Sequence, residues 1–341
     1  MRAAHWMSCN GVWAGRRGHW PMSWCSLNCK GLRCVSLVSD GVRFDVSSPQ
    51  TVAVTALLAW RREQLSLGGR AVDLDWLLDL GAGLRWSQLQ RIQLNPEGSV
   101  PLLRPLAELS RLWLRHLQED EPLQYLLGVC PWRDVLLEVS PGALIPRQET
   151  ELLVDLALGC WPHGTPQCWA DLGTGSGAIA VSLSRAWPHA EGHAVDCSAE
   201  ALALAQRNLN QLVPGHQCQL HQGDWWDAFE PEPKTFDLVI SNPPYIPSAL
   251  IDGLEAVVRH HEPHLALSGG SDGLASLRQI VRGARAALKP SGWLLLEHHH
   301  DQSGAVLELM AEAGLVQGRA EQDLAGMARF AIAQNTASAR P

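Results

Sequence analysis

The segment Ser241-Asn242-Pro243-Pro244-Tyr245-Ile246-Pro247 follows the short, mostly apolar run Phe236, Asp237, Leu238, Val239, Ile240. Such a run reads as a buried strand, so Asn242 emerges at its carboxyl end, where open α/β sheets hold their ligands. Prolines 243 and 244 fix φ, restrict the residue before each and remove two N–H donors. The loop is therefore stiff and rich in acceptors. Asn242 brings a side-chain carbonyl, Pro243 a backbone one, Pro244 rigidity and Tyr245 a flat face. Together they suit a planar group bearing an NH₂, with both hydrogens donated and its plane packed on the ring. The nitrogen of an amide or aromatic amine is a poor nucleophile because its lone pair is delocalised. Accepting its two N–H bonds aligns it with an electrophilic methyl and favours the pyramidal geometry of the transition state. Alignment of this kind is worth up to ~7–11 kcal/mol, and no strong general base is required. Taken alone, the motif also fits a rigid surface turn.

A second constellation lies upstream. Asp171-Leu172-Gly173-Thr174-Gly175-Ser176-Gly177 sets three glycines in the turn between a strand and a helix. Glycines there let the backbone press against a ligand and take positive φ without steric cost. The spacing is GxGxG, not the GxGxxG of a pyrophosphate-binding turn. Asp196, at the end of the next strand, suits a pair of ribose hydroxyls, since a carboxylate accepts two hydrogen bonds at once. These two features fit NAD or S-adenosylmethionine equally. Asp224, Trp225 and Trp226 follow the third strand, where an adenine would lie if the ribose sat on Asp196. One of the two indoles is expected at that base and the other in the core. Joined to the Asn242 loop, the set predicts an S-adenosylmethionine-dependent N-methyltransferase.

The elements that must position these residues are legible as an alternation. Cys168 to Asp171 reads as a strand, Ala178–Ala186 as a helix, Gly192 to Asp196 as a strand and Ala199–Leu212 as a helix. Strands at 218–224 and 236–242, a helix around 274–288 and a strand from Trp293 follow. That order argues for a parallel sheet covered on both faces. From Thr51 to Leu117 the apolar spacing is helical, through Val54, Leu57, Leu58, then Leu74, Leu77, Leu78, then Leu103, Leu106, Leu109, Leu112. Glycines 68, 69, 81 and 83 and the pair Asn95-Pro96 divide it into three or four pieces. Val135, Leu137 and Val139 alternate after a break at Cys130-Pro131, which suggests a hairpin connecting a small helical domain to the sheet. Thr150 is placed to cap a helix running through Leu152, Leu153 and Leu156.

Composition limits the alternatives. The chain has 341 residues, enough for a large domain and a smaller one, and no uninterrupted apolar stretch of membrane-spanning length. Its nine cysteines are scattered and odd in number, which points to reduced thiols and a cytoplasmic location. Residues 1–48 lack either periodicity and read as a disordered or artefactual extension. Cys25, Cys29 and Cys34 within them lack the second matched pair of a zinc site. The first 45 residues carry a net +4, from Arg2, Arg16, Arg17, Lys30, Arg33 and Arg43 against Asp40 and Asp45. Since the whole chain sums to −8, residues 46–341 carry −12. A domain gripping nucleic-acid phosphates usually has the opposite sign. The clusters His298-His299-His300 and His260, His261, His264 show no spacing of a known metal site, so no metal is expected. Arg259 and Glu262 suggest an ion pair shaping the exit of the Asn242 loop, and Arg147 an anchor for the hairpin or a closure over the cofactor.

The segments PLQYLLG, LIPRQETELLVD, DLGTGSGAIAVSL, AVDCSAEALALAQRN, GDWW, FDLVISNPPYI, HEPHLALSGGSDGL and LLLEH resemble successive motifs of the HemK/PrmC family, over residues 57–330. The resemblance implies a Rossmann-like, seven-stranded S-adenosylmethionine-dependent methyltransferase domain (143–335). Ahead of it would lie a hairpin (126–142) and a helical domain (49–125) that engages the substrate. It implies methylation of the side-chain amide of the glutamine in the GGQ motif of peptide chain release factors. By position, the family's cofactor residues fall on Asp171, Leu172, Gly173, Thr174, Gly175, Asp196, Trp225 and Asn242. Its glutamine-binding residues fall on Asn242, Pro243, Pro244 and Tyr245, with Asn242, Pro243 and Tyr245 implied in catalysis. Gln148 stands where the family commonly has proline, and His299 where it has glycine. The competing expectations are a ribosomal-protein glutamine methyltransferase, an adenine-N6 nucleic-acid methyltransferase, and a non-catalytic cofactor-binding module.

Overall fold

A computed structural model describes residues 50–229 and 235–336. The extension 1–48, with Cys9, Cys25, Cys29 and Cys34, falls outside the described residues. None of the helices described is long and apolar enough to cross a membrane.

The amino-terminal part opens with a strand, β1 (Gln50–Ala53), followed by helices α1 (Val54–Ser66) and α2 (Ala71–Trp76). The latter runs on through a wide π turn at Leu77–Gly81. Helix α3 (Trp86–Leu94), strand β2 (Ser99–Leu102), helix α4 (Leu106–Gln118) and the short α5 (Leu123–Leu127) complete it. The helical stripes converge on one apolar cluster that includes Leu57, Leu74, Leu77, Leu78, Leu109 and Trp113, as spacings of three and four require. Two details depart from the sequence reading. β1 and β2 form an antiparallel pair, with Gln50 opposite Leu102, in what read as purely helical sequence. Four-residue strands are too short for alternation to register. Leu103 leaves the stripe and is half exposed, because it lies in a bend between β2 and α4 rather than on a helix.

A hairpin follows, β3 (Val129–Trp132) against β4 (Val135–Glu138), with Trp132 opposite Val135. Cys130 and Pro131, expected as a break, lie inside β3. A proline is tolerated in a two-stranded ribbon, where only one partner strand asks for an N–H.

The remaining elements are α6 (Gln148–Gly159), β5 (Cys168–Leu172), α7 (Ala178–Ala186), β6 (Glu191–Asp196), α8 (Ala199–Leu212), β7 (Cys218–Gln222) and β8 (Phe236–Ser241). After these come α9 (Ala256–His261), α10 (Ala275–Ala287), β9 (Leu288–Glu297), α11 (Ser303–Glu312), β10 (Val316–Gln322) and β11 (Ala328–Gln334). Helices α7 and α8 span the residues that the apolar spacing predicts. The sheet has seven strands in the order β10-β11-β9-β8-β5-β6-β7. β9 through β7 are mutually parallel, and β11 runs antiparallel to both β9 and β10. The expected seven-stranded α/β architecture with a helical part ahead of it is therefore present. Apolar clusters cover both faces of the sheet, one centred on Trp169, Leu183 and Phe330, the other on Leu172, Ile280 and Leu296.

The hairpin is bolted to this sheet layer. Asn208 of α8, fully buried, accepts from the Glu138 amide at 2.8 Å and donates to the Glu138 carbonyl at 2.9 Å and the Ser176 carbonyl at 2.8 Å. The Trp132 indole donates to the Arg147 carbonyl at 3.1 Å.

Candidate active site

β5 lies between β6 on one side and β8 on the other, so the chain order reverses there and a crevice opens at the carboxyl ends. Asp171 pairs across with Ile240 and with Ala194. The glycine turn after β5 and the Asn242 loop after β8 therefore leave the sheet side by side. The buried Ser241 hydroxyl fastens them, donating to the Leu172 carbonyl at 2.5 Å.

The turn itself is stapled to β6. The amides of Gly173 and Thr174 both donate to the Val195 carbonyl at 2.8 Å, and the Gly175 amide donates to Asp196 Oδ2 at 2.9 Å. A Cβ at Gly177, where φ is +82°, would lie 3.0 Å from Ala205, so this glycine lets α7 and α8 meet. At Gly175 nothing comes within 4 Å of that position, and the turn is open.

Two carboxylates flank it. Asp171 is fully buried and accepts from the Thr174 hydroxyl at 2.6 Å. Its other oxygen makes no hydrogen bond of normal geometry, although the Ala180 amide lies near enough to favour the ionised form. Burial, with Asp196 adding repulsion, pushes its pKa up to about 7. Burial also raises the pKa of Asp196, which accepts from the amides of Gly175 and Ser198 and keeps lone pairs for a ligand.

Both tryptophans are half-buried against the same apolar cluster, but their rings face different neighbours. The Trp226 indole donates to the Ile280 carbonyl of α10 at 3.0 Å and packs on Gly283. The ring of Trp225 instead crosses to the glycine turn, 3.2 Å from where a Cβ at Gly173 would stand. Its backbone sits at φ +50°, a conformation a bulky residue adopts only when its surroundings impose it.

Beyond β8, Asn242 Nδ2 donates to the Thr150 hydroxyl oxygen at 2.9 Å, and that hydroxyl donates to Glu297 Oε2 at 2.7 Å. The Tyr245 hydroxyl donates to Glu297 Oε1 at 3.3 Å. Among the described residues nothing donates to Asn242 Oδ1 or to the Pro243 carbonyl, so both remain acceptors. Glu297 is 1% exposed, and burial pushes its pKa up to about 7. The Tyr245 hydroxyl end is enclosed, and burial raises its pKa, although the residue as a whole is half-buried. The segment Leu267–Gly273 braces this loop from behind. Ile246 exchanges backbone bonds with Leu267 and Gly269, and Gln302 Nε2 donates to the Tyr245 carbonyl at 3.0 Å. A Cβ at Gly273 would stand 2.4 Å from that carbonyl, so only glycine fits.

Two sequence expectations change. Thr150 is not a cap: α6 starts at Gln148 with Arg147 in the cap position, and the Thr150 hydroxyl serves Glu297 and Asn242. Glu262 does not pair with Arg259. It turns inward after α9 and bonds Arg147 at 2.7 Å, while Arg259 donates to the Asp252 carbonyl. Arg147 thereby holds the hairpin through its carbonyl, which accepts from Trp132, while its guanidinium holds Glu262. Glu297 and Ser241 are additions, and the signal for Glu297 was a lone acid ending the apolar run Trp293-Leu294-Leu295-Leu296. Among the described residues, the one group spaced to share a metal is Cys168, Glu191 and His193, in neither histidine cluster. A cavity of about 260 Å³ lined by Pro247, Leu250, Asp272 and His299 includes neither Asn242 nor the glycine turn.

The model for the Methyltransferase small domain matches residues 151–271. The release factor glutamine methyltransferase of Prochlorococcus marinus is 52% identical over 282 residues, covering 81% of this chain and 95% of its own. The chain belongs to the release factor glutamine methyltransferase family. Further release factor glutamine methyltransferases are similar to it. The Thermosynechococcus vestitus protein is 45% identical, over 69% of this chain and 81% of its own. The Synechocystis protein is 39% identical, over 80% and 93%.

Proposed function

We propose that this chain transfers a methyl group from S-adenosylmethionine to the side-chain nitrogen of a glutamine in peptide chain release factors, the glutamine of the GGQ motif. The observation that carries the reading is the pair of acceptors, Asn242 Oδ1 and the Pro243 carbonyl, beside the open glycine turn. The site fits the cofactor on its own terms. The Gly175 position is open, Asp196 keeps lone pairs for two ribose hydroxyls, Trp225 offers a ring face to the adenine, and Asp171 holds an under-used buried oxygen. Residues Asp171 to Gly175, Asp196, Trp225 and Asn242 would hold it, and when bound it supplies an electrophilic methyl on a sulfonium.

The chain's own residues then act on the acceptor. Asn242 and Pro243 take the two N–H bonds of the glutamine amide, Pro244 stiffens their spacing, and Tyr245 packs on the amide plane. This weakens the conjugation of the nitrogen lone pair and aims it along one line of attack. One amide proton is released once the new C–N bond has formed. The helical part, residues 49–125, is proposed to engage the folded release factor, and a cytoplasmic location follows from that partner. Incubation with labelled S-adenosylmethionine and separate acceptors tests the assignment. Label on the release factor glutamine is expected, whereas label confined to DNA or to a ribosomal protein contradicts it.

A further inference from the structure

We propose that Thr150 and Glu297 are positioning residues that decide which end of the Asn242 amide faces the acceptor nitrogen. This rests on the reading that Asn242 receives a substrate amide.

The inference follows from counting hydrogens along one chain. An ionised carboxylate only accepts. Thr150 owns a single hydroxyl hydrogen, and it goes to Glu297 Oε2 at 2.7 Å. Its oxygen can then only accept from Asn242, and it takes Nδ2 at 2.9 Å. The amide group of Asn242 is thereby turned so that Oδ1 is the end left over for a ligand. Without this constraint the two ends of the amide differ little in size, and an inverted Asn242 would set two N–H donors against the two N–H donors of the substrate. Both oxygens of Glu297 are engaged, the second by the Tyr245 hydroxyl at 3.3 Å, so the acid ties the Asn242 acceptor to the ring three residues further along the loop.

Protonation inverts the chain. A protonated Glu297 donates to Thr150, the Thr150 hydrogen turns to Asn242 Oδ1, and the NH₂ swings to the substrate side. The charged and titratable groups facing Glu297 are Glu149 in the first turn of α6, Arg329 on β11 and Tyr245. Burial outweighs them and sets its titration near pH 7. The acceptor-facing form of Asn242 is therefore expected to dominate above that pH and to decline below it.

The test compares wild type, Thr150→Val, Thr150→Ser and Glu297→Gln, with release factor as acceptor and cofactor affinity measured by calorimetry. Thr150→Val is expected to lose kcat/KM on the order of tenfold, about what one orienting hydrogen bond supplies. Its cofactor Kd should stay within about threefold of wild type, and Thr150→Ser should restore activity. The wild-type rate should fall below about pH 7, with that limb absent in Glu297→Gln. Undiminished activity of Thr150→Val, failure of serine to rescue, loss of cofactor affinity in step with activity, or a retained acid limb would each overturn the proposal. Hydrogen exchange of the Asn242 side-chain amide gives a readout free of turnover. It should be slow in wild type and faster in Thr150→Val, and equal exchange would overturn the proposal. A wild type inactive on release factor would defeat the proposed function, while the exchange measurement would still decide the role of Thr150.

Discussion

Asp171 concentrates the electrostatics of the glycine turn. A carboxyl whose pKa is near 3.9 when unfolded and about 7 when folded binds more protons in the native state between those values. Its contribution to stability is thus fully present below about pH 4 and is lost as pH rises to about 7. Asp171→Asn removes that slope while its side-chain oxygen can still accept from Thr174. Urea unfolding should show the variant gaining, relative to wild type, on the order of 2–4 kcal/mol between pH 4.5 and pH 8. A difference that does not change with pH would contradict the burial argument. The two tryptophans give a second contrast. Trp225→Ala should weaken S-adenosylmethionine binding by about 1–2 kcal/mol with little change in stability, the cost of a lost stacking surface. Trp226→Ala should do the reverse and lower stability by about 2–4 kcal/mol, because its indole is packed and hydrogen-bonded against α10. Calorimetric titration and denaturant melts on both variants check the split. Local sequence could not say which indole turns to the glycine turn, since adjacent residues share every local signal, and only the family resemblance singled out Trp225.

At the scale of elements, the site depends on three loops being held in register. Asn208 ties the hairpin and the glycine turn to α8 through three bonds. Asn208→Ala strips partners from two carbonyls and an amide in a buried place, and should cost about 2–4 kcal/mol of stability. A denaturant midpoint shifted by less than the equivalent of about 0.5 kcal/mol would show that the hairpin is held by other contacts. What was legible here follows from periodicity and punctuation. Helices α7 and α8 and the strand ends at Asp196 and Ser241 are written in local spacing, so the acceptor loop and the turn could be set at one sheet edge from sequence. What was not legible lies in long-range pairing. Thr150 finds Glu297 across 147 residues and Arg147 finds Glu262 across 115, distances at which no periodicity speaks. A threonine after a proline reads as a helix cap until its distant acid is known. Likewise, Cys130-Pro131 reads as a break because the strand it belongs to is paired on one side alone.

For the whole molecule, the helical part and the sheet supply different things. The first builds its own apolar cluster around Leu77 and Trp113. The second presents stiff acceptors at a switch point, and the hairpin joins them with its far strand fixed to α8. The net −12 of residues 46–341 is opposite in sign to the charge that a domain gripping nucleic-acid phosphates usually carries. All of it converges on one claim, that an oxygen on Asn242 holds the acceptor nitrogen in line for methyl transfer. The direct test is the turnover of Asn242→Ala on release factor, with cofactor affinity measured on the same preparation. A loss on the order of 10²–10³-fold in kcat with cofactor binding largely retained is predicted. Turnover within a few-fold of wild type would contradict it.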